Sequence, residues 1–140
     1  RPELDNTFRR SYGRKIFGVK YKREIHAVMC FAYTNEIPKS VEELDIMSQD
    51  AHLQSTLRGQ NVGKIAIAYT VWSKKKGGGK LIVKEVFNKI KKSNHLNRLV
   101  TLSPLTDMAY KFHIKNGAKL ISVNETTQNF EYKVIKNKKY

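Results

Sequence analysis

A glycine-rich segment, Lys74 to Lys80, joins an apolar run to an amphipathic one and so sets the order of a strand, a tight loop and a helix. The preceding run, Ile65 to Trp72, is apolar on both alternating faces, which is typical of a strand buried on both sides. The following run repeats apolar residues at helical spacing: Leu81, Ile82, Val83, Val86, Phe87 and Ile90. Because glycines let the backbone approach a ligand and a helix begins with unpaired N–H groups, this order predicts an anion-binding loop, most often for phosphate.

Two alternating apolar segments precede this unit. Residues Arg14 to Tyr21 and Ile25 to Tyr33 alternate apolar and polar side chains, and the polar stretch between them predicts an antiparallel hairpin. The second strand is apolar on its other face as well, which indicates a central position in the sheet. Ser40 and Glu43 then fit a capping box, so a helix is expected from there to about Gln54.

Downstream of the glycines, the pattern predicts a strand, a helix and two closing strands. The strand covers Arg98 to Ser103, Pro104 is expected to open the helix, and Gly117 to stop it. The expected buried stripe of that helix is Met108, Ala109 and Phe112. The closing strands are Lys119 to Val123 and Asn129 to Ile135. This order gives an α/β fold of the mixed type, a central mixed β-sheet with a parallel strand pair flanked by helices.

Composition limits the class of protein. With 140 residues and 40% hydrophobic content, the chain suits a single domain over residues 1–140, in which residues 1–13 are a peripheral lead-in. No apolar run is long enough to cross a bilayer and no signal-peptide pattern opens the sequence, so we expect a soluble, cytoplasmic protein with no membrane partner. The single cysteine excludes an internal disulfide, and the four histidines lack ligand spacing, so no metal site is expected.

The charge is strongly positive. Lysine and arginine number 27 against 12 acidic residues, which gives a net charge of +15. A field of this size attracts polyanions, whether nucleic acid, phosphorylated cofactors or acidic proteins, and the charge alone does not choose among them. Aromatic residues interleaved with the lysines resemble a stacking surface, but most lie at strand alternations, where core packing accounts for them.

The segment from Ile65 to Ile121 resembles the GNAT N-acetyltransferase superfamily. The first motif of that family is a strand, then Gln or Arg, two residues, Gly, one residue, Gly or Ala, and a helix; Lys74 to Gly79 has this spacing, with Lys74 in the place of Gln or Arg. The next motif, a helix of the form Asn-x-x-Ala-x-x-(apolar)-Tyr-x-x-x-Gly, is similar to Thr106 to Gly117. There Thr106 replaces Asn and His113 replaces Tyr. The resemblance implies a GNAT-like fold with a short N-terminal region. We therefore expect the acceptor pocket to be built differently from that of the family, to be completed by the helix from Val41, or to be supplied by upstream residues.

The resemblance also implies a cofactor, acetyl-CoA or coenzyme A, bound by residues 65–121. Its pyrophosphate would lie on the glycine loop and the first helical turn: Lys74, Lys75, Lys76, Gly77, Gly78, Gly79, Lys80 and Leu81. Its pantetheine arm would pair like an extra strand with Tyr69, Thr70 and Val71. The sulfur would then lie near His113 and Thr106.

The implied reaction is direct attack of an amine on the thioester carbonyl in a ternary complex. His113 takes the acid position, where an imidazolium near its normal pKa could protonate the departing thiolate, and Tyr110 could supply a hydroxyl instead. Many family members carry the base on the strand before the glycines, but no acidic residue lies between Ile65 and Trp72. The base therefore stays open among the following candidates and water: Asp107, Asp45 and Glu36.

Three functions follow from these features. The first is an N-acyltransferase acting on a small-molecule or protein amine, with an open oligomeric state. The second keeps the fold but takes a nucleic acid as the acceptor, which the charge would suit. The third is a non-enzymatic basic module that binds nucleic acid and holds no cofactor, so that it would bind DNA without responding to coenzyme A.

Overall fold

The computed structural model describes residues 14–21, 24–59, 63–74 and 76–134, so the expected lead-in of residues 1–13 lies outside the described residues. The helices in this part of the chain are α1 (Val41–Arg58), α2 (Gly78–Lys92) and α3 (Asp107–Lys115). The strands are β1 (Lys15–Tyr21), β2 (Glu24–Thr34), β3 (Ile65–Ser73), β4 (Arg98–Thr101), β5 (Ser103–Pro104), β6 (Lys119–Val123) and β7 (Thr127–Tyr132). None of the described helices is long and apolar enough to span a membrane.

The strands form one mixed sheet. Its order is β1-β2-β3-β4-β7, and β5 and β6 also pair with β7. β3 and β4 are parallel, from the pair Ile65↔Arg98 to the pair Ala68↔Thr101, whereas the other described pairs are antiparallel. This confirms the predicted α/β fold with a parallel strand pair, and β2 has the central position that its two apolar faces predicted.

Helices cover both faces of the sheet. Alternate residues of β3 point to opposite sides: Ala66 lies in the core beneath α2 with Ile82, whereas Ile67 lies in the core beneath α1 with Leu44. α1 occupies the β2–β3 connection, and its buried residues are Leu44, Ser48 and Ala51. Two-sided burial explains why β3 reads as a continuous apolar run rather than an alternating one.

Several predicted boundaries are wrong. α1 continues past Gln54 to Arg58 and ends at Gly59, whose left-handed φ of 65° closes the helix with an N–H bond to the carbonyl of Ser55. Pro104 does not open a helix, since it pairs in β5. α3 instead begins after Thr106, whose Oγ1 accepts the N–H of Ala109 at 3.1 Å.

Burial on α3 also differs from the expected stripe. Met108 is 82% exposed, and His113 is the residue of this helix that is buried. The last strand runs from Thr127 to Tyr132 rather than from Asn129 to Ile135.

A buried asparagine on β7, Asn129, joins the connection between β2 and α1 to the sheet. Asn129 is fully buried, and its Nδ2 donates to the carbonyl oxygens of Pro38 at 3.0 Å and Thr101 at 2.8 Å. Its Oδ1 accepts from Nδ2 of Asn124 at 2.8 Å. Both N–H donors and the carbonyl oxygen of this amide thus have partners, as burial of an amide requires.

Candidate functional site

A cleft of about 400 Å³ opens where β3 and β4 diverge. Their parallel pairing ends at Ala68↔Thr101, and Leu102 adds one further bond by donating its N–H to the carbonyl of Ala68 at 2.9 Å. Beyond this point β3 continues beside β2, whereas β5 pairs with β7. The strands separate because each follows a different neighbour. Six of the predicted site residues line the gap: Tyr69, Thr70, Val71, Gly79, Thr106 and His113.

A β-bulge helps to direct β3 at the start of the gap. Thr70 lies opposite Cys30 and Ala68 lies opposite Phe31, so Tyr69 is the extra residue. The guanidinium of Arg14 lies over the Tyr69 ring, 5.1 Å from the ring centroid. Arg14 also forms an ion pair with Asp45. Asp45, a candidate base, is therefore engaged by a buried arginine.

Gly77 determines where α2 begins. Its φ of 84° lies in the left-handed region that favours glycine, and it caps the helix without a side chain. Gly78 and Gly79 belong to the first helical turn, so the predicted loop is shorter than the glycine run. Lys75, another predicted contact, lies outside the described residues.

The first helical turn borders the cleft through Gly79. The N–H of Leu81 donates to the carbonyl of Gly77 at 3.1 Å, which is the first intrahelical bond. Helix geometry thus leaves the N–H groups of Gly78, Gly79 and Lys80 without an intrahelical acceptor. The prediction that Leu81 contributes its N–H to a pyrophosphate is wrong, because that donor is already used.

No β-carbon fits at the two helical glycines. A Cβ on Gly78 would lie 2.7 Å from Oγ of Ser73 and 2.9 Å from the carbonyl oxygen of His26. A Cβ on Gly79 would lie 2.8 Å from the ring of Phe112. The glycines therefore let the start of α2 pack directly against the ends of β2 and β3 and against α3.

The charged residues that flank this helix terminus in the sequence are lysines. α1 and α3 carry acidic residues in their first turns, as the helix dipole favours, but α2 has none. The flanking lysines in the described residues are Lys74, Lys76 and Lys80. Lys74 forms an ion pair with Glu24 at 3.1 Å. The remaining lysines add positive charge to the positive end of the helix, an arrangement that a bound anion would stabilise.

His113 forms the inner wall of the cleft. The residue is 5% exposed, its ring centroid is 5.0 Å from that of Phe130, and its Nδ1 lies 2.7 Å from the hydroxyl of Tyr132. Burial lowers the pKa of His113 to about 4. The expectation of an imidazolium near its normal pKa is therefore wrong, because the ring is neutral at neutral pH.

Tyr132 is a site residue that the sequence did not reveal. Burial raises the pKa of its hydroxyl, which keeps the phenol protonated. It is one of several aromatic residues on a strand, and nothing in its sequence neighbourhood distinguishes it as the partner of His113.

The other catalytic candidates lie elsewhere. Tyr110 is 43% exposed, its ring centroid is 6.0 Å from that of Phe130, and it does not line the cleft. Asp107 and Glu36 are exposed. Within the described part of the chain, no carboxylate lines the cleft, so the structure supplies no carboxylate base there.

A mixed sheet that splays after one parallel pair, with a glycine-capped helix terminus facing the gap, defines the fold of the GNAT N-acetyltransferases. Among solved structures, the GphF GNAT-like decarboxylase in complex with isobutyryl-CoA is similar, with a TM-score of 0.66 and 8% identity over 86% of this chain and 78% of that one. The loading GNATL domain of CurA from Lyngbya majuscula has a TM-score of 0.61 and 10% identity over 85% of this chain and 76% of that one.

An N-acetyltransferase shares the fold as well. PseH from Campylobacter jejuni, in complex with acetyl coenzyme A, has a TM-score of 0.57 and 14% identity over 91% of this chain and 72% of that one. No protein-family model matches the sequence, and no curated protein does either. At these identities the likeness establishes the fold, and the reaction has to be argued from the site.

Proposed function

We propose that this protein is an acyl-CoA-dependent N-acyltransferase that transfers an acyl group, most simply acetyl, to an amine. The observation that carries this proposal is the position of the α2 terminus. The N–H groups of Gly78 to Lys80 have no intrahelical acceptor, and Gly79 lines the cleft formed by two diverging parallel strands. A pyrophosphate at the mouth and an amide-rich arm in the cleft match the two parts of coenzyme A.

The described residues suggest how the cofactor would bind. Its pyrophosphate would accept from the first turn of α2, with Lys76 and Lys80 adding charge. Its pantetheine would run along Tyr69 to Val71, past the end of the β3–β4 pairing. The thioester would then reach Thr106 and His113 at the inner end of the cleft.

In the proposed reaction, the nitrogen of a neutral amine attacks the thioester carbonyl carbon. A C–N bond forms, the C–S bond breaks, and the amine proton passes to water because no carboxylate lines the cleft. If the Tyr132 hydroxyl donates to Nδ1 of His113, the neutral ring carries its proton on Nε2. His113 would then stabilise the leaving sulfur by donating a hydrogen bond rather than by acting as a cationic acid.

Because a decarboxylase has a similar fold, binding of coenzyme A and transfer of the acyl group are tested separately. Binding is tested by the rise in melting temperature with coenzyme A and acetyl-CoA. A ligand at 100 times its Kd stabilises a protein by about 2.7 kcal/mol, which gives a rise of several degrees. Lys80→Glu should remove most of this rise because it puts a negative charge beside the pyrophosphate. The same change should leave the unliganded protein equally stable or more so, since an acid suits a helix N-terminus.

Lys84→Glu is the matched control, one turn further along α2 and exposed as Lys80 is. It should retain the rise with coenzyme A. An equal loss in both variants, or no rise in the wild-type protein, would overturn the proposed cofactor site.

Transfer is tested by release of free thiol from acetyl-CoA in the presence of small amines and of lysine-containing peptides. We expect acceptor-dependent release that falls at least tenfold in His113→Phe while coenzyme A still binds. Binding of acyl-CoA with thiol release absent for all amines would retain the cofactor and reject the acyltransferase.

A further inference from the structure

A second groove lies between the helices of the α2 side, outside the cleft. It has a volume of about 490 Å³. One rim is α2, with Lys80 and Lys84, and the other is the end of α3 together with the residue after β7, with Lys115 and Lys133. Phe87 and Val83 contribute apolar surface between the rims.

The four lysines lack acidic neighbours. No acidic residue lines the groove, and none of the ion pairs among the described residues includes these lysines. All four side chains are exposed. Four cations around one concave surface repel each other, so the groove has a net attraction for polyanions that its own structure does not satisfy.

The opposite side of α2 differs in this respect. There the helix faces β1 across a groove of about 580 Å³, and Glu85 lines it beside the lysines. Lys89 on that side lies over the ring of Phe17, at 4.3 Å from the centroid. One long helix thus separates a groove of mixed charge from a purely cationic one.

We propose that the cationic groove binds the phosphodiester backbone of a single-stranded nucleic acid. Lysine ammonium groups bind phosphate oxygens as point charges, and lysines on both rims suit a chain of phosphates that runs along the groove. The partly buried ring of Phe87, on α2, also lines the groove and offers an aromatic surface on which a base can stack. This interaction is separate from the proposed acyl transfer and does not depend on it.

Single-stranded nucleic acid fits the groove better than an acidic protein does. The site is a concavity bordered by lysines of separate elements, so an extended strand can run between them, whereas a folded acidic surface would meet them only from outside the concavity. The apolar surface of the groove would also gain no partner in a purely electrostatic contact with carboxylates.

The experiment measures binding of a fluorescent oligothymidylate by anisotropy, at several salt concentrations, with the full chain. The test variant is the triple Lys84→Gln, Lys115→Gln and Lys133→Gln. The control is the triple Lys39→Gln, Lys64→Gln and Lys92→Gln, which removes the same charge from exposed positions outside the groove. Circular dichroism melts establish that both triples are folded.

Each lost contact to a single-stranded phosphate lowers the slope of log K against log salt by about 0.7, so the test triple should lower it by about 2. The control should keep the wild-type slope. Equal slopes in the two triples would overturn the groove as the site, because only net charge would then matter. Polyglutamate binding with the same response to the test triple would overturn the assignment to nucleic acid.

Coenzyme A serves to distinguish the groove from the cleft. Because Lys80 borders both sites, we expect saturating coenzyme A to cost oligothymidylate binding at most this one contact, about 0.7 in the salt slope. We also expect the test triple to keep the thermal shift with coenzyme A. Full competition between the two ligands would show that the groove belongs to the cofactor site and would overturn this proposal. A protein that binds the oligonucleotide through the groove but ignores coenzyme A would support this proposal while rejecting the proposed transferase.

Discussion

Nδ1 of His113 on α3 lies 2.7 Å from the hydroxyl of Tyr132 on β7, 19 residues further along the chain. The contact joins the inner wall of the cleft to the sheet beneath it. Since both residues are buried, neither group has ready access to solvent as an alternative partner. Orientation of the imidazole therefore depends on this one hydroxyl.

We expect Tyr132→Phe to destabilise the protein by about 1–3 kcal/mol, because it leaves a buried ring nitrogen without its partner. Urea unfolding measures this loss. Tyr110→Phe is the control, since Tyr110 is 43% exposed, and it should change the stability by less than about 0.5 kcal/mol. Nitrogen NMR of the imidazole adds a second measurement: the wild-type ring should be a single Nε2–H tautomer, and the variant a mixture. A mixture already present in the wild type would contradict the proposed orientation.

The buried imidazole also predicts a dependence of stability on pH. Folded His113 stays neutral down to about pH 4, whereas the unfolded chain protonates it near its ordinary pKa of 6.5. Between these values the unfolded state binds more protons, so the free energy of unfolding falls as the pH drops from 6.5 to 4. The full contribution of this group is about 3 kcal/mol, and above pH 6.5 it has no effect.

His113→Gln isolates this contribution, because the other groups titrate in both proteins. The difference in unfolding free energy between the wild type and this variant should be constant above pH 6.5. Below pH 6.5 the wild type should lose stability relative to the variant. A difference that does not change with pH down to 4 would show that the folded histidine protonates normally.

Gly79→Ala tests the packing that places α2 at the cleft. Alanine favours a helix over glycine by about 1 kcal/mol, but the added Cβ would lie 2.8 Å from the ring of Phe112. We expect a net loss of about 1–3 kcal/mol in urea unfolding. Phe112→Leu should relieve part of this loss, so the double variant should be more stable than the sum of the single changes predicts. If the changes in unfolding free energy were strictly additive, the two positions would not be in steric contact.

Asn129→Ala tests the attachment of the β2–α1 connection to the sheet. The substitution leaves the buried carbonyls of Pro38 and Thr101 without the amide that donates to them. We expect a loss of about 3 kcal/mol in unfolding free energy. The exposed Asn88 on α2 supplies the control, since Asn88→Ala should alter stability by less than about 0.5 kcal/mol. Equal effects of the two substitutions would argue against the amide network.

Patterns of short range in the sequence predicted most elements of the fold. The alternation of apolar residues predicted the hairpin. The glycines, together with helical spacing, predicted the β3–α2 unit, and the capping box at Ser40 correctly predicted the start of α1. Failures occurred where several local signals compete. Pro104 is compatible with a helix start, but pairing with β7 determined its conformation, and Thr106 provides the cap.

For the candidate site too, local features were predicted correctly and features that depend on tertiary packing were not. Glycine spacing predicted the helix terminus because φ preference and the lack of a side chain are properties of single residues. The resemblance to the second GNAT motif selected His113 and Thr106, which both line the cleft. Burial of Met108 was wrongly predicted, because helical periodicity cannot state which side of a short helix meets the sheet.

By itself, the sequence determined the order of strands and helices, the positive charge and the position of a glycine-capped helix terminus, because these depend on neighbouring residues and on composition. Only the tertiary structure decided that His113 is neutral and bonded to Tyr132, and that four separate lysines border one groove. These properties arise from burial and from contacts between residues distant in the chain, since desolvation and Coulomb interactions depend on positions in space rather than on spacing in the sequence.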